Sequence, residues 1–149
     1  MAAGGLSMLR NILLLGAMLV VSAAAADKTI IYPKEFRANM PFSPGVLVGD
    51  TLYCAGQTGG DLETGKYPEK FEDEVHQTFK RIGLILKEAG LDFDDAVDVK
   101  VYLTDIANFQ AMNGVYTQYF KKDRPTRTTV AVASLVGTAR IEITVVAHK

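Results

Sequence analysis

The sequence has little of what most catalytic chemistry is built from. Cysteine occurs once, at Cys54, and histidine twice, at His76 and His148, in 149 residues. A single cysteine excludes an internal disulfide, and so few Cys and His residues exclude a zinc site of the usual spacing. A Cys54 nucleophile served by His76 finds no support either, because Cys54 stands in an apolar strand, where thiols are ordinarily inert. Surplus positive charge is also missing. The chain has 16 basic and 17 acidic residues, a net charge of −1, so no basic field argues for nucleic acid or an anionic membrane as partner. No apolar run reaches the roughly 20 residues that a bilayer requires.

The nearest to such a run is Ile12 to Val21, preceded by a single charge at Arg10 and followed by the small residues Ser22-Ala23-Ala24-Ala25-Ala26. That layout predicts a secretory signal peptide over residues 1–26, cleaved near Ala26. No lipobox cysteine follows it. Removing it takes away Arg10 and leaves 15 basic against 17 acidic residues, a net charge of −2. The expected product is one domain over residues 27–149, exported to the periplasm or secreted, with no stable membrane insertion. Hydrophobic content of 48% and charged content of 22% fit a globular domain of that size.

Element patterns come next. Thr29 to Tyr32 predicts a short strand stopped by Pro33. Val46-Leu47-Val48 and Thr51 to Ala55, joined by Gly49-Asp50, predict a hairpin with a two-residue turn. Gly56 to Pro68 is expected to be loop. Within it, Gly60 to Lys66 matches the start of a phosphate-binding loop, but Tyr67-Pro68 replaces the hydroxyl residue and the helix start. Asp61 and Glu63 would also repel phosphate. Phe71, Val75, Phe79, Ile82 and Leu86 set one apolar stripe on a helix ending at Gly90. Val97, Val99, Val101 and Leu103 alternate as a strand, and a second helix spans roughly Ile106 to Phe120 behind a Thr104 or Asp105 cap. The order β, β, β, α, β, α, β, β implies an α+β mixed sheet with two helices on one face. The other face, carrying Val130, Val132 and Val146, calls for a partner subunit.

The last two strands carry the chemistry. Arg127 and Thr129 share one face of the run Arg124-Pro125-Thr126-Arg127-Thr128-Thr129-Val130-Ala131-Val132. Downstream, Glu142 interrupts the apolar Ile141 to Val145. A carboxylate in so apolar a strand needs a partner or a task. A hairpin centred between Ser134 and Leu135 would set Arg127 opposite Glu142. Residue types and spacing alone favour an ordinary ion pair at the sheet edge.

Four stretches together resemble the reactive-intermediate deaminase (RidA, YjgF-like) family. They are Phe42-Ser43-Pro44-Gly45-Val46, Leu52 to Gly59, Val101-Tyr102-Leu103-Thr104-Asp105, and Arg124 to Val130 followed by Ile141-Glu142-Ile143. The resemblance implies a chorismate-mutase-like fold, a homotrimeric barrel with helices outside, and ligand clefts between subunits. It implies cofactor-free, metal-free hydrolysis of small 2-imino acids to 2-keto acids and ammonia, with Arg127 binding the carboxylate and Glu142 handling water. Asn113, Thr129 and the backbone of Gly56 would line the pocket. Phe42 and Ala55 stand where many members have tyrosine and serine, which makes the expected pocket drier. Export would also require an imine supply other than the family's usual cytoplasmic enzymes. A non-catalytic small-molecule binding or stress-related interaction protein with the same pocket is the alternative expectation.

Overall fold

Apolar residues recurring every three or four positions make residues 71–88 an amphipathic helix, and burying that stripe organises the domain. Phe71, Val75, Phe79, Ile82 and Leu86 are all buried, each such side chain contributing about 1.5–3 kcal/mol. The computed structural model describes residues 27–149; the leader expected over residues 1–26 lies outside them. In chain order the elements are β1 (Lys28–Ile31), β2 (Gly45–Val48), β3 (Thr51–Cys54), β4 (Gln57–Thr58), α1 (Phe71–Glu88), β5 (Ala96–Leu103), α2 (Phe109–Tyr119), β6 (Thr126–Ala131) and β7 (Ile141–His148). Helix α1 ends as expected: Gly90 adopts φ +72°, and the Leu91 N–H returns to the Leu86 carbonyl at 2.9 Å, closing the last turn.

The strands form one mixed sheet in the order β1-β2-β3-β7-β5-β6, with β4 also paired to β7. The β2–β3 hairpin forms with the expected register, Val48 opposite Thr51. Helices α1 and α2 cover one face, over a core that includes Leu52, Val99, Val101, Ile141 and Ile143. Phe79 stacks on Tyr119 with ring centroids 4.4 Å apart and meets Tyr116 and Phe120 edge-on, which fixes the two helices against each other. The other face exposes Tyr53 and Val130.

Several expectations change in detail. Residues 57–58, expected in a loop, pair with β7 as β4. The second helix begins with a 3-10 turn, Ile106–Asn108, and Asp105 caps that turn by accepting from the Ala107 N–H at 2.9 Å. Val97 does not share a face with Val99: a bulge between Ala96 and Asp98 buries Ala96 and leaves Val97 47% exposed. His76 is not simply solvated, since its Nδ1 lies 2.9 Å from the Tyr119 hydroxyl.

Burial pushes the Cys54 thiol up from 9.0 to about 12, as its apolar strand implies. The unfolded chain sheds this proton above about pH 9 while the folded chain keeps it. That stabilising contribution is therefore complete below pH 9 and lost as pH rises through about 12. Reaction with a disulfide reagent at pH 8 should be at least about 100-fold slower in native protein than in urea, because thiolate is rare and access is blocked. Fast native labelling would contradict this burial.

Candidate functional site

Strand registers decide where the chemistry-bearing residues go. Val99 pairs with Arg127 on one side and Val145 on the other, while Tyr102 pairs with Val130 and Glu142. Strand β5 therefore runs between β6 and β7, and the hairpin that would set Arg127 opposite Glu142 does not form. The reason is topological: β6 runs parallel to β5, so residues 132–140 must cross the end of β5 to reach the antiparallel β7. Because Val99 and Val145 are buried beneath the helices, Arg127 projects onto the helix-covered face. Glu142 shares its row with Tyr102 and Val130 and projects from the uncovered face. Within one chain they form no ion pair, so the expectation of an ordinary Arg–Glu pair falls.

Arg127 forms the centre of the first group. Its guanidinium lies 4.5 Å from the Tyr116 ring centroid and 5.6 Å from that of Phe109, with Nη1 4.0 Å from the Met112 sulfur. Aromatic contacts of this kind hold a guanidinium in place without pairing its charge with a carboxylate. Arg127 opens into a cleft of about 480 Å³ shared with Asn113, Tyr116, Arg124 and Pro125. Arg124 is fixed there by its Nε bond to the Phe120 carbonyl, 3.1 Å. Thr129 lies two residues along the same face. The Thr129 and Tyr116 hydroxyls are buried without a hydrogen-bond partner among the described residues. Burial raises the Tyr116 phenol above its usual range, and the cation of Arg127 partly offsets it. Two buried hydroxyls and a guanidinium that meets no carboxylate among the described residues suit a small polar anion.

Glu142 forms the centre of the second group, on the uncovered face. It pairs with Thr58, and its carboxylate lies against the backbone of Gly56. A Cβ on Gly56 would fall 2.0 Å from Glu142 Oε1, so only glycine permits the approach. Ala55 adjoins it, and the Ala55 N–H donates to the Pro44 carbonyl at 2.9 Å. That bond tethers the loop carrying Phe42, which is 52% exposed. The residues singled out in the sequence thus divide into two groups: Arg127, Asn113 and Thr129 in one, Glu142, Gly56 and Ala55 in the other, with Phe42 on the loop tethered to Ala55.

Sequence reasoning missed the clamp that positions Glu142. Glu74 on α1 is fully buried and accepts from the Arg140 backbone N–H at 2.7 Å and from Arg140 Nε at 2.6 Å. The remaining guanidinium nitrogens bond the carbonyls of Glu69, 3.0 Å, and Pro68, 2.7 Å. Both Glu74 oxygens and all three guanidinium nitrogens are bonded, which makes burial of the carboxylate tolerable; removing Arg140 would leave Glu74 buried and uncompensated, at a cost of about 3–5 kcal/mol. The clamp fixes the chain two residues before Glu142. A carboxylate in the first turn of a helix, beside Glu72 and Asp73, reads as an ordinary helix-end charge and gives no such signal by spacing alone. Tyr116 was also hidden, since its place in the apolar stripe of α2 reads as core. The Gly60–Lys66 segment, by contrast, behaves as expected. Its N–H groups turn inward, with Thr64 donating to Asp61 Oδ1 at 2.8 Å and Gly65 to the Asp61 carbonyl at 2.8 Å, leaving no cradle for phosphate.

Known proteins resemble this chain in sequence and fold. A family model described as Endoribonuclease L-PSP matches residues 32–149. The human 2-iminobutanoate/2-iminopropanoate deaminase is 43% identical over 108 residues, covering 72% of this chain and 79% of that protein. Reactive Intermediate Deaminase A, chloroplastic, of Arabidopsis thaliana is 35% identical over 133 residues, covering 88% and 71%. Among solved structures, the YjgF gene product of E. coli superposes with a TM-score of 0.76 at 27% identity, covering 81% of this chain and 98% of that one. The mixed sheet with two helices on one face is the fold of these proteins, in keeping with the chorismate-mutase-like architecture expected. By sequence and by fold, the chain belongs to the reactive-intermediate deaminase (RidA, YjgF-like) family.

Proposed function

We propose that this protein hydrolyses small 2-imino acids, such as 2-iminopropanoate, to the 2-keto acid and ammonia. The observation that carries the reading is the Arg127 guanidinium, which meets no carboxylate among the described residues, held 4.5 Å from the Tyr116 ring centroid in a cleft lined by Asn113. A guanidinium edge grips a carboxylate through two parallel hydrogen bonds, a geometry that lysine does not reproduce. The names of the human and Arabidopsis relatives point to the same chemistry. Glu142 takes a proton from water as the water oxygen bonds to the imine carbon; the C=N pair moves to nitrogen, which takes that proton from Glu142 to give the neutral carbinolamine. Glu142 then takes the carbinolamine hydroxyl proton as the C=O bond forms and the C–N bond breaks, and that proton passes to the departing nitrogen, which leaves as ammonia. Imines already hydrolyse in water, so positioning plus one base supplies the modest lowering of the barrier.

The reading includes a homotrimer. Since Arg127 and Glu142 project from opposite faces of one sheet, a substrate reaches both only in a cleft where two chains meet. The exposed Tyr53, Val130 and Val48 on the uncovered face give such a contact apolar surface to bury. Export, expected from residues 1–26, belongs to the same proposal and would set the reaction outside the cytoplasm.

The test supplies purified protein with 2-iminopropanoate generated in situ and follows keto-acid formation. Wild type should outpace buffer, and Glu142→Gln should lose roughly 10²–10⁴-fold in kcat, the usual worth of a general base. If wild type matches buffer across several imino acids, a binding role without turnover replaces this reading. Gly56→Ala gives a finer check. Its added methyl would displace the Glu142 carboxylate, and a shift of about 1 Å costs on the order of 10²-fold in rate. Folding should persist, because Gly56 has no left-handed φ. Unchanged kcat in Gly56→Ala would remove Glu142 from the reaction.

A further inference from the structure

A second cleft lies apart from both groups, and two arginines face it. Arg81 on α1 donates from Nε to Gln57 Oε1, 3.1 Å, and from Nη1 to the Gly60 carbonyl, 2.8 Å. Both acceptors are neutral. Its guanidinium also lies 5.3 Å from the Phe36 ring centroid. Arg37, next in the chain, lines the same cleft of about 200 Å³, with Met40 and Tyr67 among its walls. Among the described residues the ion pairs are Lys100–Asp98 and Arg140–Glu74, so neither Arg37 nor Arg81 has a carboxylate in salt-bridge range. Asp61 borders the cleft, but its Oδ1 is taken by the N–H groups of Thr64, 2.8 Å, and Glu63, 3.2 Å, and by the Thr64 hydroxyl, 2.9 Å. Burial is the main influence lowering the Arg81 pKa, and Arg37 lowers it further, while Tyr67 and Asp61 act in the opposite sense. A half-buried cation beside a like charge is a costly arrangement that a bound anion relieves.

We infer that this cleft binds a small organic monocarboxylate, its charge between Arg37 and Arg81 and a flat or short apolar tail against Phe36, Met40 and Tyr67. Its volume equals that of roughly six or seven liquid waters, which suits a molecule of benzoate size. The apolar half of the wall favours a carboxylate with a tail over bare phosphate, whose oxygens would be left unpaired there. None of these residues belongs to the Arg127 or Glu142 groups, so the inference does not depend on the imine reading.

The test is calorimetric titration of benzoate into the Arg127→Ala protein, where a carboxylate has lost its anchor in the first cleft. One saturable site per chain is expected, and adding Arg37→Ala should weaken it at least tenfold; among the described residues Arg37 makes no side-chain hydrogen bond whose loss would disturb the fold. In wild type, an amide NMR titration should shift Gly60, Leu62 and Gly65 along a saturation curve of their own. No saturable binding in the Arg127→Ala protein together with unmoved amides would overturn the site. Binding indifferent to Arg37→Ala would do the same. Phosphate binding as tightly as benzoate would overturn the monocarboxylate assignment, because the apolar wall would then contribute nothing.

Discussion

Arg127→Ala is expected to lower kcat/KM for 2-iminopropanoate by roughly 10²–10⁴-fold, with a normal fold retained. The magnitude follows from two charge-assisted hydrogen bonds to the substrate carboxylate, each worth about 1.5–3 kcal/mol. Stability should fall by only about 1 kcal/mol, the scale of the guanidinium's stacking on Tyr116 and Phe109. Arg127→Lys keeps the charge but loses the fork, and should recover only part of the loss. Steady-state kinetics with circular dichroism on the same samples makes the check. A variant that folds and retains wild-type kcat/KM would take the carboxylate anchor away from Arg127.

The second large effect appears in mixed trimers. Arg127→Ala and Glu142→Gln chains, each nearly inactive alone, should regain about a third of wild-type turnover per chain when co-expressed in equal amounts and purified through two tags. Every trimer that holds both chain types has three clefts, and one of them joins an intact Arg127 to an intact Glu142. The registers that join β5 to β6 and to β7 put the two residues on opposite faces of one sheet, so in the proposed homotrimer each cleft would take them from separate chains. No regained activity in verified mixed trimers would mean that they do not share a cleft across chains.

Much of this was legible in the sequence because local physics dominates those elements. The stripe from Phe71 to Leu86, the Gly49-Asp50 turn and the alternation around Arg127 and Glu142 each follow from a periodicity that packing leaves intact. The sheet order was not legible. Whether β6 and β7 pair directly or across β5 depends on contacts between residues far apart in the chain, and no local pattern encodes it. The bulge that turned Val97 outward is of the same kind, set by where Ala96 meets Ala147. In the site, the resemblance supplied Arg127, Glu142 and Gly56, and the structure adds why Gly56 must be glycine. The Glu74–Arg140 clamp joins residues 66 positions apart, and only the fold brings them into contact. The two unpartnered hydroxyls became visible only once α2 lay over β6.

The strand at the centre of the sheet is also the last of the seven in chain order. Strand β7 pairs with β3, β4 and β5, and Thr51 meets His148 across the whole length between them. Until residues 141–148 arrive, β3 and β5 have no neighbour in common, and the apolar stripe of α1 lacks much of the surface it covers. The slow step in folding is therefore closure of long loops around a late strand, which carries a large entropic cost before contacts reward it. A chain lacking that strand holds exposed β edges and uncovered apolar surface, the conditions under which folding intermediates aggregate.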